Sequence, residues 1–256
     1  MKLEEVLRRF HAADRAWQDR HLRFTPLHPG FWAYRTIYRA LDVVASNAKG
    51  VLLDAGCGLK PYAEIFAGRV EAHIGLEYGT ETVYRGHKAD LFGDITSLPV
   101  AANTVDTVLC TEVLEHVENP QAALDEFFRI LKAGGLLLVT APFVYPVHGE
   151  KDYYRYSAGG MKALLKRSGF MIERVQALTG TGRTLALLIN IYIIEIGFFW
   201  TKWLYPLGVL LRPALWVVTA VINLMGALAD VLLPSDHLAF NHLSIARKRQ
   251  QENQGL

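Results

Sequence analysis

Short apolar runs alternate with stretches of helical periodicity along most of the chain, and this alternation predicts a doubly wound α/β sheet. Val51-Leu52-Leu53 is too short for a helix. It stops at Asp54, passes through Gly56 and Gly58 and resumes at Pro61, which reads as strand, tight turn and helix start. A short helix over residues 62–67 leads to a second strand over 72–77, and residues 105–110 read as a further strand. Asn119-Pro120 supplies a cap and a first-turn proline for a helix that turns Ala123, Leu124, Phe127, Phe128 and Leu131 to the sheet. Gly134-Gly135 is expected to end that helix before a strand over 136–140. Ser157 caps a helix over 158–168 that Gly169 closes, residues 171–178 form a sixth strand, and residues 241–248 form the last. Upstream, Leu3, Val6, Leu7, Phe10 and Trp17 fall at helical spacing, as do Phe31, Tyr34, Ile37, Tyr38, Leu41 and Val44 beyond the break at Pro26 and Pro29-Gly30.

Between the sixth and last strands lie about 60 residues of strongly apolar sequence, an insert assigned to residues 181–238. Residues 184–200 are apolar apart from Asn190 and Glu195, Pro206 and Pro213 are expected to interrupt, and residues 214–233 are apolar apart from Thr219, Asn223 and Asp230. Each arm is near the length of a membrane span, roughly 17 to 20 residues. Lys202 and Arg212 would lie in a translocated turn against the positive-inside tendency, and Glu195 would be costly in lipid. Trp200, Trp203, Tyr205 and Trp216 are the amphipathic aromatics expected at headgroups. Three readings stay open: a membrane-embedded or re-entrant hairpin, a two-span anchor, and a soluble helical lid or dimer interface.

Composition narrows the picture further. Lysine and arginine total 27 against 25 acids, and the only basic run is Arg247-Lys248-Arg249, so no nucleic-acid stripe is expected. The two cysteines, Cys57 and Cys110, are poor disulfide candidates, and the first residues lack the basic start and apolar core of a signal peptide. A cytoplasmic location is expected, at the inner face of a membrane if the insert binds one.

Gly56 and Gly58 let the backbone bend and approach a ligand, with helix N–H groups facing the same space, and Asp54 can accept from a cationic or amino group there. A dinucleotide fingerprint would need a third glycine at Pro61, which disfavours an NAD-dependent oxidoreductase without removing it. Glu77, 23 residues past Asp54 at the end of a strand, suits both hydroxyls of a ribose.

The segment Asp54-Ala55-Gly56-Cys57-Gly58 resembles motif I of the class I S-adenosylmethionine-dependent methyltransferases, although the family's commonest form has a glycine at Lys60. Gly93-Asp94, then Leu98-Pro99 and Asp106 opening a strand, resemble the family's third and fourth strands. Leu114-Glu115-His116-Val117 before Asn119-Pro120, and Arg129-Ile130-Leu131-Lys132-Ala133-Gly134-Gly135, resemble the small-molecule branch called type 11. The resemblance covers residues 50–175. It implies a Rossmann-like seven-stranded sheet over 49–180 and 239–249, N-terminal helices over 1–48 covering the cofactor cleft, a tail over 250–256, and S-adenosylmethionine as cofactor. It places Asp54, Gly56, Cys57, Gly58, Glu77 and Thr111 at the cofactor, Asp94 at the adenine amino group and Ile95 against the ring, with Asp90 able to take either acidic role. For His116 it implies ordering of the loop beside the cofactor as much as catalysis.

The loop from Pro142 to Ser157 follows the fifth strand, where ligands of doubly wound sheets sit, and carries His148, Glu150, Asp152, Tyr153, Tyr154, Arg155 and Tyr156. A similar block occurs in type 11 members, and many of these look linked to polysaccharide or lipid-glycan modification. Methyl transfer is an in-line displacement on a sulfonium, so the protein mainly aligns and desolvates. If the acceptor is a hydroxyl, His148 is the expected base and Asp152 orients it, with Tyr153, Tyr154, Arg155 and Tyr156 as acceptor contacts. The opposing reading is that His148 and Arg155 only tie the loop down. The alternate spacing of His148, Glu150 and Asp152 is weak for a metal site, and no metal is predicted. The acceptor is expected to be a small molecule, a lipid-linked compound or a glycan. A membrane-associated protein that binds the cofactor without turnover is the non-enzymatic alternative.

Overall fold

The computed structural model of the chain describes residues 17–79, 89–201 and 205–249. Residues 3–16 of the expected first helix, Lys202, Trp203 and the tail 250–256 lie outside the described residues, as do the side chains of Glu195, Trp200 and Tyr205. The described residues group into two compact units, 38–178 with 241–249, and 17–37 with 179–240.

The first unit holds a seven-stranded sheet. Its strands are β1 (Val51–Ala55), β2 (Ala72–Glu77), β3 (Leu91–Phe92), β4 (Val105–Thr111), β5 (Leu131–Pro142), β6 (Met171–Ala177) and β7 (Asn241–Arg247). They lie in the order β3-β2-β1-β4-β5-β7-β6. β1 to β5 pair in parallel, and β7 runs antiparallel between β5 and β6. The strand order reverses between β1 and β4, so their carboxyl ends open a crevice for a ligand.

α1 (Phe31–Val44) buries Phe31, Ile37, Leu41 and Val44, as its periodicity predicts, and α2 (Ala63–Phe66) is a single turn. α3 (Pro120–Ile130) starts where Asn119 accepts from the Ala122 N–H at 3.2 Å, and α4 (Ala158–Arg167) where Ser157 accepts from the Gly160 N–H at 3.1 Å. α3 buries Ala123, Leu124, Phe127 and Ile130 in one core with Leu53, Val108, Leu137 and Val139. Each large side chain there contributes roughly 1.5–3 kcal/mol of burial. Gly134-Gly135 does not end α3. The helix closes at Ile130, Leu131 already pairs with Val105, and the glycines occupy the register shift that follows. Gly134 has φ +77°, and a β-carbon on Gly135 would stand 2.8 Å from the Lys132 carbonyl oxygen, so the pair forms a bulge within β5.

The second unit contains α5 (Thr181–Thr201) and α6 (Tyr205–Leu232). Pro213 lies inside α6 and does not interrupt it; it removes one backbone hydrogen bond while the helix continues. Contacts pair Gly182 with Gly226 and Asp230, and Asn190 with Asn223, so the two helices run antiparallel. A β-carbon on Gly182 would stand 2.6 Å from the Gly226 carbonyl oxygen, which shows how closely the backbones approach. Asp230 accepts from the Gly182 N–H at 2.6 Å and pairs with Arg183, capping the start of α5. Asn190 donates to the Asn223 side-chain oxygen at 3.1 Å, and Asn223 donates to the carbonyls of Pro26 and His28. Asn190, Asn223 and Thr219 are buried, whereas Val217, Val221, Leu224, Met225, Leu228 and Val231 are exposed at helical spacing.

Candidate functional site

The turn after β1 is closed by the Gly56 and Cys57 N–H groups, which donate to the Leu76 carbonyl at 2.8 and 3.1 Å. Gly56 has φ +76°, and a β-carbon there would overlap Val113 Cγ2 and lie 2.9 Å from Cγ1; glycine is required by packing. Gly58 has φ +49°, but a β-carbon there would meet nothing within 4 Å, so this side of the turn is open and has room for a ligand. Glu77, at the end of β2, accepts from the Gly58 N–H at 2.8 Å and the Tyr78 N–H at 3.0 Å through separate oxygens. Each oxygen keeps a second lone pair, so the carboxylate can still receive two hydroxyls.

Lys60 stands where the family commonly has glycine and keeps the left-handed backbone, φ +50°. Its side chain crosses Gly75, where a β-carbon would collide with it, and its ammonium reaches Asp90 at 2.5 Å and the His73 carbonyl at 3.0 Å. Asp90 also accepts from the Gly75 N–H at 2.7 Å, and the Lys60 hydrogen bond holds its carboxyl below the usual range. Asp90 is thereby engaged in the turn's support. Asp54, 2% exposed, sits 3.0 Å from His73 Nε2, a partner the sequence reading missed because His73 is diagonal to it across the β1–β2 register. Burial, followed by the Asp54 charge, pushes the Cys57 thiol up to about 12, so it stays protonated.

Asp94 is exposed and accepts from the Thr96 N–H and hydroxyl at 2.8 and 2.7 Å; Ile95 is buried in the core. Thr111 ends β4 half-buried, followed by Glu112 in a left-handed conformation, φ +53°. Asn241 donates to Glu112 at 3.3 Å. Burial raises the carboxyls of Glu112 and Glu115, and Glu115 is raised further by Glu112.

The loop after β5 is held by Arg155. Its guanidinium pairs with both oxygens of Asp152 and donates to the carbonyls of Tyr145, Pro146 and Tyr154. All five donors are taken within the loop, so Arg155 clamps the loop instead of presenting donors to an acceptor. Tyr156 is buried and donates its hydroxyl to the Leu114 carbonyl at 2.8 Å, which makes it a packing residue and not the acceptor contact expected. Tyr153 and Tyr154 are exposed, the latter donating to the Glu118 carbonyl at 2.9 Å. The Asp152 side chain, 1% exposed, lies 3.2 Å from His148 Nδ1 and accepts from the His148 N–H at 2.7 Å. The Arg155 hydrogen bond keeps the Asp152 carboxyl well below the ordinary range. His148 packs edge to face on His116, ring centres 4.9 Å apart, a neighbour 32 residues away that loop composition does not announce.

Residues 53–139 match the family model described as a methyltransferase domain. The chain is 33% identical over 135 residues to the demethylmenaquinone methyltransferase of Renibacterium salmoninarum, covering 51% of this chain and 52% of that one. It is 28% identical over 174 residues to the ubiquinone biosynthesis O-methyltransferase of Aliivibrio fischeri, covering 62% and 70%. The chain thus spans about half the length of the first of these curated relatives. In fold it is similar to Haemonchus contortus phosphoethanolamine N-methyltransferase 2 in complex with S-adenosyl-L-methionine, with TM-score 0.51, 18% identity and coverage of 92% and 60%. A methyltransferase structure from Bacillus halodurans C-125 gives TM-score 0.51, 17% identity and coverage of 82% and 98%. Turn, strand order and family match agree: residues 53–139 carry a methyltransferase domain that matches the type 11 model, within a sheet of the class I S-adenosylmethionine-dependent kind.

Proposed function

We propose that this protein transfers a methyl group from S-adenosylmethionine to a hydroxyl oxygen of a small apolar acceptor, and that the helices α5 and α6 hold it at the inner face of a membrane. The observation that carries the membrane part is the polarity of those helices. Their polar residues Asn190, Thr219 and Asn223 are buried and bonded or packed inside, while Val221, Leu224, Met225, Leu228 and Val231 are exposed. Water favours the reverse arrangement, and lipid favours this one. Among the described residues one helical stretch, Arg212–Leu232, is long and apolar enough to cross a membrane. The relatives named for ubiquinone biosynthesis and demethylmenaquinone favour an acceptor that is reached from lipid.

For the chemistry, Gly56, Cys57, Gly58, Glu77 and Asp94 hold the cofactor, with Asp54 buttressed by His73 behind them. Tyr153 and Tyr154 face the acceptor. The acceptor proton leaves toward His148, whose ring Asp152 orients. The methyl carbon gains the oxygen as its bond to sulfur breaks, leaving S-adenosylhomocysteine. A flotation assay with anionic phospholipid vesicles tests the anchor. Wild type should float, and Val221→Lys/Leu228→Lys should stay at the bottom while binding S-adenosylmethionine normally. Wild type that does not float would overturn the membrane reading. Incubation with lipophilic quinols and phenols, read by mass spectrometry for one added methyl, tests the acceptor class.

A further inference from the structure

We propose that Glu115, His116 and His148 form a binding site for a divalent cation of the zinc type. One ligand atom from each residue lies within 4.8 Å of the other two. Tetrahedral zinc with metal–nitrogen bonds near 2.0–2.1 Å sets its ligands about 3.3 Å apart, so side-chain rotations of ~1 Å close the site.

The ring nitrogens are already sorted for this task. His116 Nδ1 lies 2.5 Å from the Lys151 carbonyl oxygen, an acceptor only, so this nitrogen carries the proton and Nε2 bears the lone pair. That Nε2 is 3.8 Å from Glu115 Oε1. His148 Nδ1 lies 3.2 Å from the Asp152 carboxylate, which Arg155 fixes in turn. A histidine that donates one nitrogen to a carbonyl or carboxylate and turns the other to a cation is the usual outer-shell arrangement of a metal site.

Glu115 supplies the independent sign. Its side chain is 1% exposed, yet neither oxygen has a hydrogen-bond partner. A buried carboxyl with no partner is costly, and a cation held between it and two imidazoles would satisfy it. Two nitrogen ligands and one oxygen suit zinc or its neighbours over magnesium and calcium, which prefer oxygen. The alternating trio His148, Glu150 and Asp152 is not the set that converges: Asp152 is occupied by Arg155, and Glu150 is exposed.

This site draws one ligand from the loop after β5 and two from the segment after β4. With the site empty, His148 keeps its role as base; with a cation bound it would be a ligand, and the proton of an acceptor hydroxyl acidified by the cation would pass to solvent water.

The test reads occupancy and not turnover, so its failure leaves the methyl-transfer reading standing. Full-length protein in mild detergent is stripped with a chelator, dialysed against buffered zinc and assayed by elemental analysis, with cobalt absorption reporting coordination. One equivalent is expected. His116→Ala and His148→Ala should each weaken zinc binding at least tenfold, and Asp152→Asn should weaken it 10- to 100-fold through the outer shell. His21→Ala, on a helix elsewhere, should leave it unchanged. Substoichiometric zinc in wild type, or an undiminished equivalent in a folded His116→Ala/His148→Ala protein, would overturn the proposal.

Discussion

Gly56 and Gly58 flank Cys57 in the same turn, and alanine should act mainly on folding at the first and mainly on cofactor binding at the second. At Gly58 the left-handed backbone costs an alanine roughly 1–2 kcal/mol. The new methyl meets no protein atom within 4 Å. For a chain of this size that corresponds to a Tm loss of about 2–8 °C. The methyl enters the space that the bound cofactor would fill, and overpacking there of ~1–3 kcal/mol weakens S-adenosylmethionine on the order of tenfold to a hundredfold. At Gly56 the same backbone cost adds to a collision with both γ-carbons of Val113. The sum, ~2–5 kcal/mol, is a large part of a total stability of about 5–15 kcal/mol, so Gly56→Ala should lose about 4–20 °C, or fail to accumulate. Differential scanning fluorimetry with and without cofactor, and calorimetric titration of each soluble variant, measure both effects. A Gly58→Ala protein that melts a few degrees early but binds S-adenosylmethionine as tightly as wild type would refute the reasoning, because the open side of the turn would then face no ligand.

Asp152→Asn removes the charge that Arg155 grips, at a pair whose guanidinium is partly exposed, and should cost about 1–3 kcal/mol at neutral pH. Because the folded Asp152 pKa is depressed, its contribution is present above the ordinary carboxyl range and is lost as pH falls through the folded value; Asp152→Asn should therefore flatten the acid limb of a stability–pH curve, and an unchanged limb would contradict the ion-pair account. Tyr156→Phe deletes the hydroxyl bonded to Leu114 and should lower stability by ~1 kcal/mol with kcat retained, whereas a large fall in kcat would return Tyr156 to the acceptor site. Asn223→Ala leaves the carbonyls of Pro26 and His28 without their donor and should cost ~1–3 kcal/mol, measured by thermal melting in detergent.

The sheet was legible because its determinants are local. Apolar runs stopped at Asp54, Glu77 and Thr111 mark three strand ends, and Asn119-Pro120 and Ser157 place two helix starts within a residue. Gly134-Gly135 misled because two glycines after a helix serve equally as a stop or as a bulge, and only the pairing of Leu131 with Val105 decides. Pro213 misled because a proline inside a long apolar helix need not break it. What single residues carry was legible: Glu77 ends β2 and its carboxylate reaches the glycine turn, as its spacing from Asp54 suggests. It was not legible where partners are distant: Lys60 and Asp90 are 30 residues apart, and His116 meets His148 across 32. Arg155 and Tyr156 look like recognition residues in sequence, and only their hydrogen bonds show them turned inward.

The account turns on the cofactor lying between the open turn at Gly58 and the carboxylate of Glu77. Calorimetric titration of S-adenosylmethionine into folded full-length wild type and Glu77→Ala, in mild detergent, tests it most directly. Two hydrogen bonds from ribose hydroxyls to a charged acceptor, about 1.5 kcal/mol each, predict saturable binding to wild type and weakening on the order of a hundredfold in the variant. Equal affinity in both folded proteins, or no binding to either, would contradict it.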